Sequence, residues 1–164
     1  MKFAEIFREN REAIEKSFTP PQIKGLEEIA SLLAKALSAG RKILLCGNGG
    51  SAADCQHIAA EFIGRFKRER QSLPALALTT DTSILTAIGN DYAYDKIFSR
   101  QVEGLGEKGD VLIAISTSGN SKNVLEAVKT AKTKGLVTIG FTGAKGGMLR
   151  EIADRCFQAQ SNET

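Results

Sequence analysis

The stretch Val111-Leu112-Ile113-Ala114-Ile115-Ser116-Thr117-Ser118-Gly119-Asn120-Ser121 decides how the rest of the chain is read. Its unbroken apolar half predicts a strand buried on both faces. That strand stops in a loop carrying the hydroxyls of Ser116, Thr117, Ser118 and Ser121, and a helical pattern over 122–134 follows. A helix beginning directly after a strand points its unpaired first-turn N–H groups, and the positive end of its dipole, at the loop, which suits a phosphate. The hydroxyls add donors without adding charge, and Gly119 lets the backbone turn close to a ligand. A single such residue, Asn120 or Ser121, would read as an ordinary helix cap. Four hydroxyls in six residues are more than a cap needs, so the loop is read as an anion cradle.

The same alternation continues on both sides. A strand over 43–46 leads into Gly47-Asn48-Gly49-Gly50-Ser51 and a helix over about 52–67, with Ser51 as its cap. A second strand is expected over 73–78 despite Pro74, then a short helix to Ile88, a polar turn Gly89-Asn90-Asp91-Tyr92, and a helix over 93–105. Strands over 136–141 and 155–158 flank a last short helix that starts after Gly146-Gly147. Strands alternating with helices define an α/β fold: a five-stranded parallel sheet between two helical layers, joined by right-handed crossovers, with its site at the carboxyl ends of the strands.

Two helices precede this unit, within 1–40. Phe3, Ile6, Phe7, Ile14 and Phe18 stripe the first and Ile23, Leu26, Ile29, Leu33 and Leu37 the second, with Pro20-Pro21 between them and Gly40 at the end. Two amphipathic helices are hard to hide against one small sheet. Either at least one packs on another subunit, or the pair forms a hairpin over its own domain.

The 164 residues suit one domain, with 41–164 as the α/β unit, and no low-complexity tract divides them. The net charge of +3 gives no argument for nucleic acid or membrane partners. No apolar run reaches spanning length and the N-terminus has no signal-peptide core, so a cytoplasmic protein is expected. Cys46, Cys55 and Cys156 lack CxxC spacing and read as reduced, mostly structural thiols.

Gly47-Asn48-Gly49-Gly50-Ser51-Ala52 matches G-x-G-x-x-A, the dinucleotide fingerprint. That fingerprint wants an acidic residue about 20 positions on, whereas Asp81 lies 32 positions past Gly49. No Gly-Lys-Ser/Thr supports a nucleoside triphosphate loop either. Two Gly/Ser loops at strand ends instead suggest a small phosphorylated ligand held from both sides.

His57 and Glu61 share a helix face. They could be two metal ligands, a base beside its partner, or a surface ion pair. The apolar neighbours Ile58, Ala59, Ala60, Phe62 and Ile63 predict partial desolvation of Glu61. Glu61 stands ten residues past Ser51, about 15 Å along a helix. A sugar phosphate must therefore extend along the helix to touch both, or Glu61 serves a neighbouring subunit's loop. Asn90 and Asp91 suit sugar hydroxyls, although a turn explains them equally. The cluster Arg65, Lys67, Arg68 and Arg70 reads as a solvated helix end.

Taken in order, 46–54, Gln56 to Glu61, 78–82, 87–92 and 115–121 resemble the signatures of the sugar isomerase (SIS) domain family, most closely its phosphoheptose isomerase branch. The resemblance implies a three-layer α/β/α sandwich, a homotetramer with composite sites, and interconversion of sedoheptulose 7-phosphate with D-glycero-D-manno-heptose 7-phosphate for lipopolysaccharide core synthesis. It assigns the phosphate to Ser51, Ser116, Thr117, Ser118 and Ser121, with Asn48, Gly49, Gly50, Asn90 and Asp91 around the sugar. It makes Glu61 the base that moves a proton between C1 and C2, with His57 beside it, and makes both residues zinc ligands. The family's remaining zinc ligands, a glutamine and a histidine, sit on a helix beyond the stretch resembling 161–164. The expectation for these 164 residues is therefore phosphosugar binding with impaired turnover and weak zinc affinity. A non-catalytic SIS regulator, similar to the relatives that associate with the replication initiator, is the alternative; those lack a carboxylate at the position of Glu61.

Overall fold

The structure, a computed structural model, describes residues 2–161. Helices α1 (Phe3–Ser17) and α2 (Pro20–Ser38) lead into β1 (Ile43–Gly47), α3 (Gly50–Ile63), β2 (Ala75–Ala77) and α4 (Thr82–Asp91). A 3-10 turn (Tyr94–Lys96), α5 (Ser99–Leu105), β3 (Val111–Ser116), α6 (Lys122–Thr133), β4 (Val137–Thr142), α7 (Gly147–Ile152) and β5 (Arg155–Gln158) complete it. The five strands pair in parallel in the order β2-β1-β3-β4-β5.

The alternation of strand side chains builds the three layers. Leu44, Cys46, Leu112 and Ala114 face one way, onto Phe98, which caps α5, and onto Val102, Val124, Ala127, Val128 and Leu149 of α5, α6 and α7. Ile43, Leu45, Val111 and Ile113 face the other, onto Ile29 of α2 and Cys55 and Ala59 of α3. The β1 and β3 side chains on both faces are essentially removed from water, at about 25 cal/mol per Å² of apolar surface the main source of stability.

The two N-terminal helices behave differently from each other. Ile29, Leu32, Leu33, Ala36 and Leu37 place α2 on its own sheet. In α1, Phe3 is 82% exposed, Phe7 73% and Ile14 60%. That helix is tied to the rest at its carboxyl end, where Phe18 packs on Phe157 and Ser17 Oγ accepts the Gln160 N–H at 2.7 Å.

Four local expectations are corrected. α3 ends at Ile63 rather than near 67, because Gly64 leaves helical geometry and Arg70 folds back to donate to the carbonyls of Glu61 (2.8 Å) and Phe62 (2.9 Å). β2 keeps three residues: the Leu73 N–H goes to the Phe62 carbonyl and Pro74 has none to give. The expected turn at Gly89-Asn90-Asp91 is the last turn of α4, which Asp81 opens by accepting the Ile84 N–H at 2.9 Å. The expected helix over 93–105 is split, because Ala93 is fully extended and the chain restarts as a 3-10 turn before α5. Among the described residues no helix is long and apolar enough to cross a membrane.

Candidate functional site

In the order 2-1-3-4-5 the chain reverses its winding between β1 and β3, and a parallel sheet opens a crevice at that point, beyond the strands' carboxyl ends. Asn48 and Ser51, after β1, and Ser116, Thr117, Ser118 and Ser121, after β3, line a cavity of about 270 Å³ there, with Ile115 at its base. The amino ends of α3 and α6 both open onto it, so two helix dipoles add to the hydroxyl donors, and no charged side chain among the described residues lines it.

Each side of the cradle has its own support. On the β1 side Gly47 packs against Ser51; a Cβ at Gly47 would stand 2.9 Å from the Ser51 Cβ. Gly49, with φ +55°, precedes the first turn of α3, and Gly50 opens that turn. Ser51 is the second residue of the helix and buried, so it is not the cap expected from sequence. On the β3 side Ser121 stands at the N-cap of α6, but its hydroxyl pairs with Ser116 Oγ at 3.0 Å instead of with the helix. The Thr117 carbonyl accepts the Gly143 N–H, and Asn120 Oδ1 accepts the Met148 N–H, which ties the loop to the start of α7.

Asn90 and Asp91 do not line this cavity. Asn90 Nδ2 donates to Asp91 Oδ1 at 2.9 Å at the exposed end of α4, and Asp91 borders a different cleft with Tyr92 and Arg100. Nor do His57 and Glu61, which sit farther along α3. Their Nε2 and Oε1 atoms are 3.8 Å apart; the His57 side chain is 76% exposed, whereas that of Glu61, at 39%, is partly removed from water. A tetrahedral zinc takes four ligands. The pair offers two, and among the described residues no third His, Cys, Asp or Glu joins them. These residues alone do not fit a zinc site.

Two neighbours of the cavity went unread in the sequence. Asn123, buried in the first turn of α6, exchanges a reciprocal pair of amide hydrogen bonds with Asn48, at 2.8 and 2.9 Å. Tyr94 Oη donates to Asn48 Oδ1 at 3.3 Å. The signal for Asn123 was available as a polar residue on the apolar stripe of α6; that for Tyr94 was not, because it depends on the break after Ala93.

A doubly wound parallel sheet with an uncharged hydroxyl cradle at its switch point defines the class. The chain belongs to the SIS domain family, whose pattern matches residues 6–143. Within that family, phosphoheptose isomerase from Aliarcobacter butzleri (strain RM4018) is 55% identical over 158 residues, covering 96% of this chain and 83% of the relative. The structure of phosphoheptose isomerase GmhA from Neisseria gonorrhoeae superposes with TM-score 0.86 at 46% identity, over 99% of this chain and 84% of that one. A phosphoheptose isomerase from Francisella tularensis gives TM-score 0.91 at 34% identity, over 98% and 85%. The chain is an isomerase of this family.

Proposed function

We propose that the substrate is a phosphorylated seven-carbon sugar, and that the reaction interconverts sedoheptulose 7-phosphate and D-glycero-D-manno-heptose 7-phosphate, the first step toward ADP-heptose for lipopolysaccharide core. The observation that carries this reading is the cavity at the switch point, where hydroxyls and two helix N-termini converge with no charged side chain among the described residues. The names of the similar proteins supply the seven-carbon sugar. Three reduced thiols and a phosphorylated substrate suit an enzyme of the cytoplasm.

In this mechanism the hydroxyls of Ser51, Ser116, Thr117, Ser118 and Ser121 hold the phosphate and fix the register of the carbon chain. A carboxylate takes a proton from C1 of the ketose, the C–H electron pair forms the C1–C2 double bond of an enediol as the carbonyl pair moves onto O2, and the proton returns at C2 while the hydroxyl proton moves from O1 to O2. Glu61 is the carboxylate we assign, with His57 beside it. Because about 15 Å of helix separates Glu61 from Ser51, the assignment places Glu61 of one copy at the cradle of another. The uncovered apolar stripe of α1 supports such an assembly, of which a tetramer is the form we favour. Zinc held by His57 and Glu61 would need further ligands besides these two.

The test is an isomerase assay with sedoheptulose 7-phosphate, with and without added zinc, on the chain and its Glu61→Gln variant. Turnover in the parent and a loss of about 10²- to 10⁴-fold in the variant, with ligand-dependent thermal stabilisation kept in both, supports the reading. Stabilisation without turnover in either form would favour the phosphosugar-binding regulator.

A further inference from the structure

We propose that Asn123 is a positioning residue that makes Asn48 a one-way hydrogen-bond donor to the ligand. Asn123 is 3% exposed and does not line the cavity; Asn48, in front of it, does. The orientation of both amides follows from one backbone group. The Val124 N–H points at a side-chain atom of Asn123 at 3.0 Å, and since an N–H can only donate, that atom is the oxygen. The other Asn123 atom is then Nδ2, which donates to Asn48 Oδ1 at 2.8 Å, while Asn48 Nδ2 donates back to Asn123 Oδ1 at 2.9 Å.

Asn48 Oδ1 also accepts from Tyr94 Oη at 3.3 Å. Both lone pairs of that oxygen are thereby engaged, and one of the two Nδ2 hydrogens is engaged with Asn123. What Asn48 retains for a ligand is a single N–H. It can give a hydrogen bond to a ligand oxygen and cannot accept one from a sugar hydroxyl. A neutral donor held in place before reaction is suited to an oxygen that gains negative charge, as the substrate carbonyl oxygen does when an enediol forms. The kinetic part of this inference rests on the isomerase reading above.

Asn123→Asp tests it. The carboxylate still accepts the Val124 N–H and stands favourably in the first turn of a helix, so folding is expected to be kept. It cannot donate, so Asn48 Oδ1 loses the bond from Asn123 Nδ2 and faces a carboxylate oxygen instead, and the Asn48 amide is no longer held in one orientation. The expected result is a fall in kcat of about 100-fold with unchanged stabilisation by inorganic phosphate. If phosphate stabilisation is lost as well, the N–H serves a phosphate oxygen, and the positioning role stands. Parental kcat and KM in Asn123→Asp overturn it, as does a loss fully accounted for by a lowered melting temperature of the unliganded variant.

A second readout does not need turnover. The two side-chain N–H signals of Asn48 in nuclear magnetic resonance are expected to differ, one protected from exchange in the free protein and the other protected on adding sedoheptulose 7-phosphate. Fast exchange of both in the free protein refutes the geometry. Distinct signals in a protein that lacks turnover would retain the positioning and discard the isomerase reading.

Discussion

A Cβ placed on Gly119 would stand 1.9 Å from the carbonyl oxygen of Gly146, so the hydroxyl loop after β3 and the turn before α7 meet backbone to backbone. Gly119 has φ +67°, its carbonyl accepts the Leu149 N–H at 2.9 Å, and Asn120 next to it accepts the Met148 N–H at 3.0 Å. The shape of the cradle therefore depends on a helix that contributes no side chain to it.

Gly119→Ala is expected to open this contact. The left-handed backbone alone costs about 1–2 kcal/mol with a side chain present, and the collision adds to that. We expect a melting temperature lower by at least about 4 °C and loss of the stabilisation by inorganic phosphate, both read by thermal unfolding with and without phosphate. A variant that melts and responds like the parent would show that the loop adjusts freely.

Acid should remove a specific contribution. Hydrogen bonds from Lys96 (2.7 Å) and Lys129 (2.9 Å) hold Glu126 down at about 2, from 4.5. For Asp110 burial favours the neutral form, but the Lys42 side chain and the N–H groups of Lys42 and Glu107 outweigh it and the pKa falls. For Asp154 burial is likewise outweighed, by Thr138 and Lys132. A carboxylate whose folded pKa is depressed stabilises in full above its unfolded value and loses that contribution as pH falls through the folded one. For Glu126 the window is pH 4.5 down to about 2. Its side chain is 30% exposed, so Glu126→Gln should cost below about 1 kcal/mol at pH 7 and flatten the acid limb of a stability curve measured by circular dichroism. Superimposable acid limbs would contradict it.

The thiols should be slow to react. Burial pushes Cys46 up, pushes Cys55 up to about 12 with help from the charge of Asp54, and raises the half-buried Cys156. Thiolate is the reactive form. At pH 8 a disulfide reagent is expected to label Cys156 slowly in the folded protein and all three cysteines once it is denatured. Rapid labelling of Cys46 or Cys55 in the folded protein would mean that α3 opens readily.

The stripe on α1 separates two states. In a monomer, replacing the exposed Phe3 and Phe7 by serine should change stability within about 0.5 kcal/mol each. If the stripe is covered by another copy, the double variant should lose mass by light scattering, and its melting temperature should cease to depend on protein concentration.

The run Val111–Ser121 was enough to place the central strand, the cradle and the helix behind it, because each is a contiguous pattern whose physics is local: apolar continuity, hydroxyl density, then a helical period. The layers followed in the same way from the alternation of strands with helices along the chain. The reach of Arg70 back to α3 and the extended Ala93 were not legible, because each sets aside the local helical propensity, Arg70 to donate to the carbonyls of Glu61 and Phe62 at the end of α3. The same holds at the site. Ser51, Ser116 and Ser121 announce themselves as donors in the sequence, whereas the polarity of Asn48 depends on Asn123, 75 residues on, and on Tyr94, 46 residues on. Donors can be recognised one residue at a time; the direction in which an amide donates exists once its partners have been brought beside it by the folded sheet.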